Sequence, residues 1–303
     1  MIHRELSRRE FVAGAALMGA AAALAPVALS AEAAARKRFK ILVFTKPFQT
    51  LGANETADLV ARIGWDGVEL PVRKGGQVLP EKVEDDLPKF VEALRGRGRE
   101  LAIATTDVTS LTPLNEKVLR AVSKLGIKRY RLGFFNYEKS KAIPDQLNEI
   151  SARLRDVVAL NKELGLQAGF QNHSGDGRVG APVWDIWTII KDLDPNAIAQ
   201  CFDIGHATIE GGLAWPTNFR LVAGRLTAVF VKDFQWQKTA RGGKSTWCPL
   251  GDGMISKDFF KMLKATDYDG PICQHHEYEL GHGEEMTGHF RRDLATLREW
   301  LGS

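Results

Sequence analysis

The stretch QCFDIGHATIEGG, Gln200 to Gly212, ends an apolar run in Asp203 and places His206 three residues further on. An aspartate and a histidine at that spacing, at the end of a strand, could ligate a metal or act as acid and base. The same pair also suits an ordinary loop cap. Other apolar runs break in the same manner. GVELPV carries Glu69, ELAIATTDV ends in Thr105, Thr106 and Asp107, and LQAGFQNH ends in Gln171, Asn172 and His173. LTAVFVKDF ends around Lys232 and Asp233, and GPICQHHEYE supplies His275, His276, Glu277 and Glu279. Strand ends hold such groups only at a desolvation cost unless each is paired, so several on one mouth indicate a site.

Residues two apart in a strand share a face. Gln171 therefore falls with His173, Cys201 with Asp203, Phe230 with Lys232, and His275 with Glu277, whereas His276 should pack behind. Asp203, His173, His206, His275 and Glu277 offer the nitrogen and oxygen donors that suit Zn²⁺, Mn²⁺ or a similar ion. Lys232 could balance an acidic substrate, polarise a carbonyl or, if burial lowers its pKa, act as a base; the alternative is that Asp233 simply holds it in a salt bridge. Glu69 could contact a bound substrate or pair with an arginine. Trp184 and Trp187 are expected in the core. Trp215, Trp236 and Trp247 fall in loops above the mouth, as aromatic platforms for a ligand or as loop packing.

Eight strand-like runs alternate with helical patterns from FKILVFTKPF to HFRRDLATLREWL. The runs are nearly continuous in apolar residues, as in parallel strands covered by helices. Helices tend to end at a glycine before the next strand, at Gly64, Gly98, Gly126 and Gly165. Eight such units predict a single (β/α)₈ barrel, an α/β fold, over residues 38–303. An open doubly wound sheet is the weaker alternative, since no GxGxxG follows the first strand.

Residues 1–35 read as a twin-arginine export signal. SRREFVAG sets Arg8 and Arg9 ahead of an alanine-rich run, and ALSAEAAA offers small residues for cleavage. A cleaved signal and a periplasmic or otherwise exported protein are expected, against the alternative of an uncleaved anchor. The net charge of +4 is spread too evenly to point to nucleic acid. Cys201, Cys248 and Cys273 lack metal spacing and make no disulfide framework.

GWDGVEL, CFDIGHA, FVKDF, PLGDGMI and YDGPICQHHEYE, in this order, resemble the xylose isomerase-like TIM barrel superfamily, in its sugar phosphate isomerase/epimerase-like branch. The resemblance covers essentially all of the mature chain. It implies one divalent ion held by a Glu on the fifth strand, an Asp on the sixth, a His on the seventh and a Glu on the eighth. Asp203 matches. Gln171, followed by Asn172, stands in place of the first Glu, Phe230 in place of the His, and His275 in place of the last Glu, with Glu277 two residues on. In the related epimerases both Glu residues also move protons beside a carbonyl, which Gln171 cannot do.

The expectation is an exported isomerase or epimerase acting on a sugar or keto-sugar, by metal-assisted proton transfer next to a carbonyl. Asp203 and His275, with His173, would hold a divalent ion (Mn, Zn or Mg). Glu277 or His206 would move the proton and Lys232 would steady the enolate. Glu69, Gln171, Asn172 and Trp236 would bind the substrate, a small carbohydrate. The alternatives are a keto-sugar lyase or hydrolase, cleaving 3-keto-glycosides or dehydrating a keto-sugar, and a non-catalytic carbohydrate-binding barrel.

Overall fold

The short apolar runs become strands because each is covered on both faces. The computed structural model describes residues 39–302 apart from 241. The expected export signal lies outside the described residues. The barrel strands are β1 (Ile41–Phe44), β2 (Gly67–Pro71), β3 (Glu100–Thr105), β4 (Arg129–Arg131), β5 (Gln167–Gln171), β6 (Ile198–Asp203) and β7 (Leu226–Val231). After a hairpin of β8 (Asp233–Thr239) and β9 (Gly242–Cys248) comes the last barrel strand, β10 (Ile272–Gln274). The barrel closes in the order β1-β10-β7-β6-β5-β4-β3-β2, and its neighbouring strands are parallel. This is the (β/α)₈ barrel expected from the alternation of elements.

The outer helices are α1 (Ala53–Ile63), α2 (Val83–Arg95), α3 (Pro113–Lys124), α4 (Ile143–Leu164), α5 (Val183–Ile190), α6 (Ile204–Gly211), α7 (Trp215–Val222), α8 (Asp258–Lys264) and α9 (Gly283–Leu301). Gly64 (φ 101°) and Gly165 (φ 63°) end α1 and α4 in the left-handed conformation, which a β-carbon disfavours. Among the described residues, no helix is long and apolar enough to cross a membrane.

Two apolar regions result. One lies between strands and helices and includes Val43, Val68, Phe170, Phe202 and Phe290. The other fills the barrel interior with Leu42, Phe44, Ile103, Cys201, Ala228, Phe230 and Cys273. Gly169 on β5 leaves the space that the Cys201 thiol and the Thr227 methyl group occupy. The interior is thus a packed floor, and polar side chains begin one layer above it.

Three expectations change. The run LTAVFVKDF is not one strand. It breaks at Lys232 and turns into the antiparallel β8–β9 hairpin. Trp184 is 53% exposed rather than in the core, because it lies on the outer face of α5, while Trp187 packs partly buried against the core. Trp215 begins α7 and meets Phe259 edge-on at 6.2 Å, so its ring is used in packing between helices.

Candidate active site at the barrel mouth

Glu69 on β2 is fully buried. Its Oε1 accepts from the Thr105 hydroxyl and lies 3.4 Å from Arg131 Nε, and its Oε2 lies 2.8 Å from His275 Nε2. Burial alone would raise this carboxyl. The charges of His275 and Arg131 outweigh it and hold Glu69 down to about 2. The His275 ring sits between Phe230, at 4.4 Å, and Phe44, at 4.8 Å. Arg131, at the end of β4, lies over the Phe44 ring at 5.1 Å and donates to Gln171 Oε1.

The chain of contacts continues through β5. Gln171 Nε2 donates to Asp203 Oδ2 over 2.8 Å. Asn172 bridges to the next strand, donating to Asp203 O and accepting from Asp203 N, each at 2.9 Å. Asp203 also caps α6 through Oδ1, which accepts from the His206 backbone N–H at 3.1 Å. Its Oδ2 lies 3.2 Å from Lys232 Nζ, and that ammonium donates to Glu277 Oε1 at 2.8 Å. Lys232 keeps 2% of its side chain exposed and Glu277 19%. Burial would raise the Glu277 carboxyl, but the adjacent Lys232 charge brings it to about 2. The polar contacts thus run round the mouth from His275 through Glu69, Arg131, Gln171, Asp203 and Lys232 to Glu277.

Two further histidines stand over Asp203. The His173 and His206 rings are 3.9 Å apart. His206 Nδ1 shares a hydrogen bond with Ser174 Oγ at 2.7 Å. Its Nε2 is buried, has no hydrogen-bond partner among the described residues, and lies 3.8 Å from Asp203 Oδ2. Burial and the Lys232 charge lower His173 to about 4 and push His206 well below the ordinary range. Both rings are therefore held toward the neutral form.

The mouth brings together Glu69, Gln171, Asn172, Asp203, His206, Lys232, His275 and Glu277 of the expected residues, with His173 packed on His206. Trp236 stands apart, 46% exposed on β8 and edge-on to Phe234. Trp247 on β9 is the indole over the site, 4.6 Å from Lys232 Nζ and 5.1 Å from the His206 ring. Asp233 does not pair with Lys232. It accepts backbone N–H bonds from Gly251, Gly253 and Ile255 at 3.0–3.1 Å and so ties down the loop after β9. Sequence reasoning missed Arg131. The alternation of RYR on β4, with Arg131 at the strand end, is the signal that could have found it.

Asp203, His275 and His173 do not form a ligand group. Among the described residues, the one cluster able to offer a metal three donors is Glu69, Cys273 and His275, all buried, with donor atoms within 4.8 Å of one another. That cluster is consistent with a metal site and identifies no ion. Its carboxylate is already engaged, Glu69 Oε2 with His275 and Oε1 with Thr105 and Arg131, while His275 Nδ1 has no hydrogen-bond partner among the described residues. Asp203, the position that matches the ligand set implied by the resemblance, has Oδ2 shared by Gln171 and Lys232 and Oδ1 by a backbone N–H. The residues present do not fit that ion.

No curated protein matches the chain. Among solved structures, the apo form of 3-keto-D-glucoside 4-epimerase from E. coli is 17% identical, covering 86% of this chain and 100% of that one with a TM-score of 0.66. D-psicose 3-epimerase, solved in the presence of D-fructose, is 13% identical, covering 87% and 100% with a TM-score of 0.66. A xylose isomerase-like TIM barrel protein from Mycobacterium smegmatis in complex with magnesium is 15% identical, covering 87% and 98% with a TM-score of 0.64. At these identities the likeness is one of fold. The sequence itself matches the model of the xylose isomerase-like TIM barrel over residues 57–300. With its closed eight-stranded barrel and a polar mouth at the strand ends, the chain belongs to the xylose isomerase-like TIM barrel family.

Proposed function

We propose that the chain is an enzyme that moves a proton at a carbon beside the carbonyl of a sugar or keto-sugar, with epimerisation or isomerisation as the outcome. One observation carries this reading. A neutral His206 with an unpartnered Nε2, the Lys232 ammonium and the Glu277 carboxylate converge at one mouth. A neutral imidazole can take the proton. The electron pair of the broken C–H bond then moves toward the carbonyl oxygen, where Lys232, with Arg131 nearby, offsets the developing charge. Return of a proton to the opposite face gives an epimer, and return to the neighbouring carbon gives an isomer. Glu69, Gln171 and Asn172 hold the mouth in register, and Trp247 rather than Trp236 is the aromatic surface for the sugar. No step is routed through a metal.

Gln171 favours a second reading. With an amide where the resemblance implies a carboxylate base, a proton removed from one side has no second base to restore it, and loss of a leaving group would follow. Incubation with ketohexoses and 3-keto-glucosides in D₂O, followed by NMR, tests both. Deuterium beside the carbonyl of recovered sugar supports epimerisation or isomerisation. An unsaturated or cleaved product supports elimination. No exchange and no product across the panel would leave a carbohydrate-binding barrel. Export by the twin-arginine route is a separate proposal that rests on Arg8 and Arg9. Recovery of the chain from the cytoplasmic fraction alone would end it.

A further inference from the structure

We infer that Lys232 is the resident cation of this mouth and that it keeps a divalent ion out, so that the site works with an ammonium in place of a metal. The inference deepens the functional reading above and rests on that reading for its catalytic consequence.

The observations are geometric. Lys232 Nζ lies between two carboxylates, 3.2 Å from Asp203 Oδ2 and 2.8 Å from Glu277 Oε1, with 2% of its side chain exposed. The Trp247 ring covers it at 4.6 Å. An ion bound by Asp203 would have to enter beside this ammonium, where little water screens the repulsion between like charges. Two positions beside Asp203, Gln171 and Phe230, also offer an ion nothing, while His206 Nε2 stays unpartnered 3.8 Å from Asp203 Oδ2. Gln171 gives its oxygen to Arg131 and presents its N–H₂ end to Asp203, so it offers Asp203 a donor rather than offering an ion a ligand. Phe230 supplies no donor, and its ring stacks on His275, whose Nε2 is turned to Glu69. In the neighbouring Glu69–Cys273–His275 cluster Arg131 brings a second cation beside the Glu69 carboxylate.

The consequence is a site whose positive charge is fixed and shaped by the protein. The ammonium has three N–H donors, and with Asp203 and Glu277 on two of them one remains, so it holds one oxygen of a substrate rather than chelating two. This favours a single carbonyl or enolate oxygen as the recognised group over a pair of vicinal hydroxyls.

The test needs no substrate. The full chain is stripped with a chelator and dialysed against Mn²⁺, Mg²⁺ or Zn²⁺. Bound metal is then measured by elemental mass spectrometry, and thermal unfolding is followed with and without ion. The expected result for the wild-type chain is essentially no retained metal and an unfolding midpoint that ions do not move. The double variant Gln171→Glu, Lys232→Met restores a carboxylate and removes the ammonium. It should retain about one ion per chain and gain midpoint in its presence, since an ion that binds only the folded state stabilises it. Wild-type chain that keeps about one ion per chain through gel filtration, as a bound structural ion would, overturns the inference. So does a folded double variant that takes up none. A chain that turns over no sugar yet excludes metal fails the functional reading alone. A chain that exchanges sugar protons yet holds a metal fails this inference alone.

Discussion

His275 and His276 are adjacent in sequence and belong to different parts of the molecule. Each stands near a carboxylate. His275 faces into the mouth, 2.8 Å from Glu69, with Arg131 on the other carboxylate oxygen. His276 faces outward, 3.5 Å from Asp293 on α9, against the Phe290 and Trp65 rings at 4.8 and 6.0 Å. Asp293 also accepts from the Tyr278 hydroxyl at 2.9 Å and from the Leu250 backbone N–H at 3.2 Å. Both carboxylates are buried, and they respond in opposite ways. The charges of His275 and Arg131 hold Glu69 at about 2, whereas burial, only partly offset by hydrogen bonds, pushes Asp293 up to about 7. The inner pair is an ionic group in a mouth lined by cations. On the outer face Asp293, through Tyr278 and Leu250, is a hydrogen-bonded clamp between α9, the loop after β9 and the segment after β10, and His276 packs beside it without a hydrogen bond of its own among the described residues. A carboxylate beside a histidine therefore marks a candidate site only where other charges converge on it.

The largest expected effect comes from breaking the inner pair. Glu69→Gln leaves Arg131 without its buried carboxylate and should cost about 3–5 kcal/mol of stability, read by urea unfolding. The Glu69 carboxyl sits at about 2 in the folded chain against its ordinary 4.5. Its contribution is therefore present above pH 4.5 and lost as pH falls toward 2. The difference between wild type and Glu69→Gln should shrink in acid, and a difference that stays constant would mean that Glu69 is not the ionised partner.

Next comes Lys232→Met, which removes the ammonium from the mouth. Proton exchange into the sugar should fall by about 10²–10³-fold, with the circular dichroism spectrum unchanged. Full exchange in this variant would take Lys232 out of the chemistry.

Asp293 tests the outer pair. A carboxyl raised from 3.8 to about 7 binds its proton more tightly in the folded chain. Stability from this group is fully present below pH 4 and is lost as pH rises to about 7. The loss should be on the order of 2 kcal/mol, less than the full shift implies because the surroundings relax. Asp293→Asn should flatten this part of the pH dependence; an unchanged slope would place the titration elsewhere.

The smallest effect is expected from His276→Gln, about 1 kcal/mol of stability from the lost ring packing on Phe290 and Trp65, with sugar exchange unaltered. A large loss of exchange would mean that the two faces after β10 are coupled.

Much of this was legible in one dimension. Strand alternation put His275 and Glu277 on the inner face and His276 behind, and Asp203 at the end of its apolar run did point into the mouth. The β8–β9 hairpin was not legible, because Lys232, polar and buried, reads like the continuation of a strand. Arg131 was passed over for a related reason: an arginine in a short strand shows no preference for the inside until Glu69 and Gln171 are seen beside it. The alternative that Asp233, the neighbour in sequence, holds Lys232 in a salt bridge gives way to Asp203 and Glu277, which meet it only in space.

Apolar periodicity, glycine helix ends and the two-residue alternation of strands are local, and they determined the barrel and the inward face of each strand without reference to anything distant. Which charge meets which depends on the closure of the barrel, which brings β2, β4, β6 and β7 to one rim. Only that closure decided that Asp203 faces an ammonium and that one of two adjacent histidines lies among charges while the other lies among rings, and the fold of the separate β8–β9 hairpin decided that Trp247 rather than Trp236 covers the ammonium.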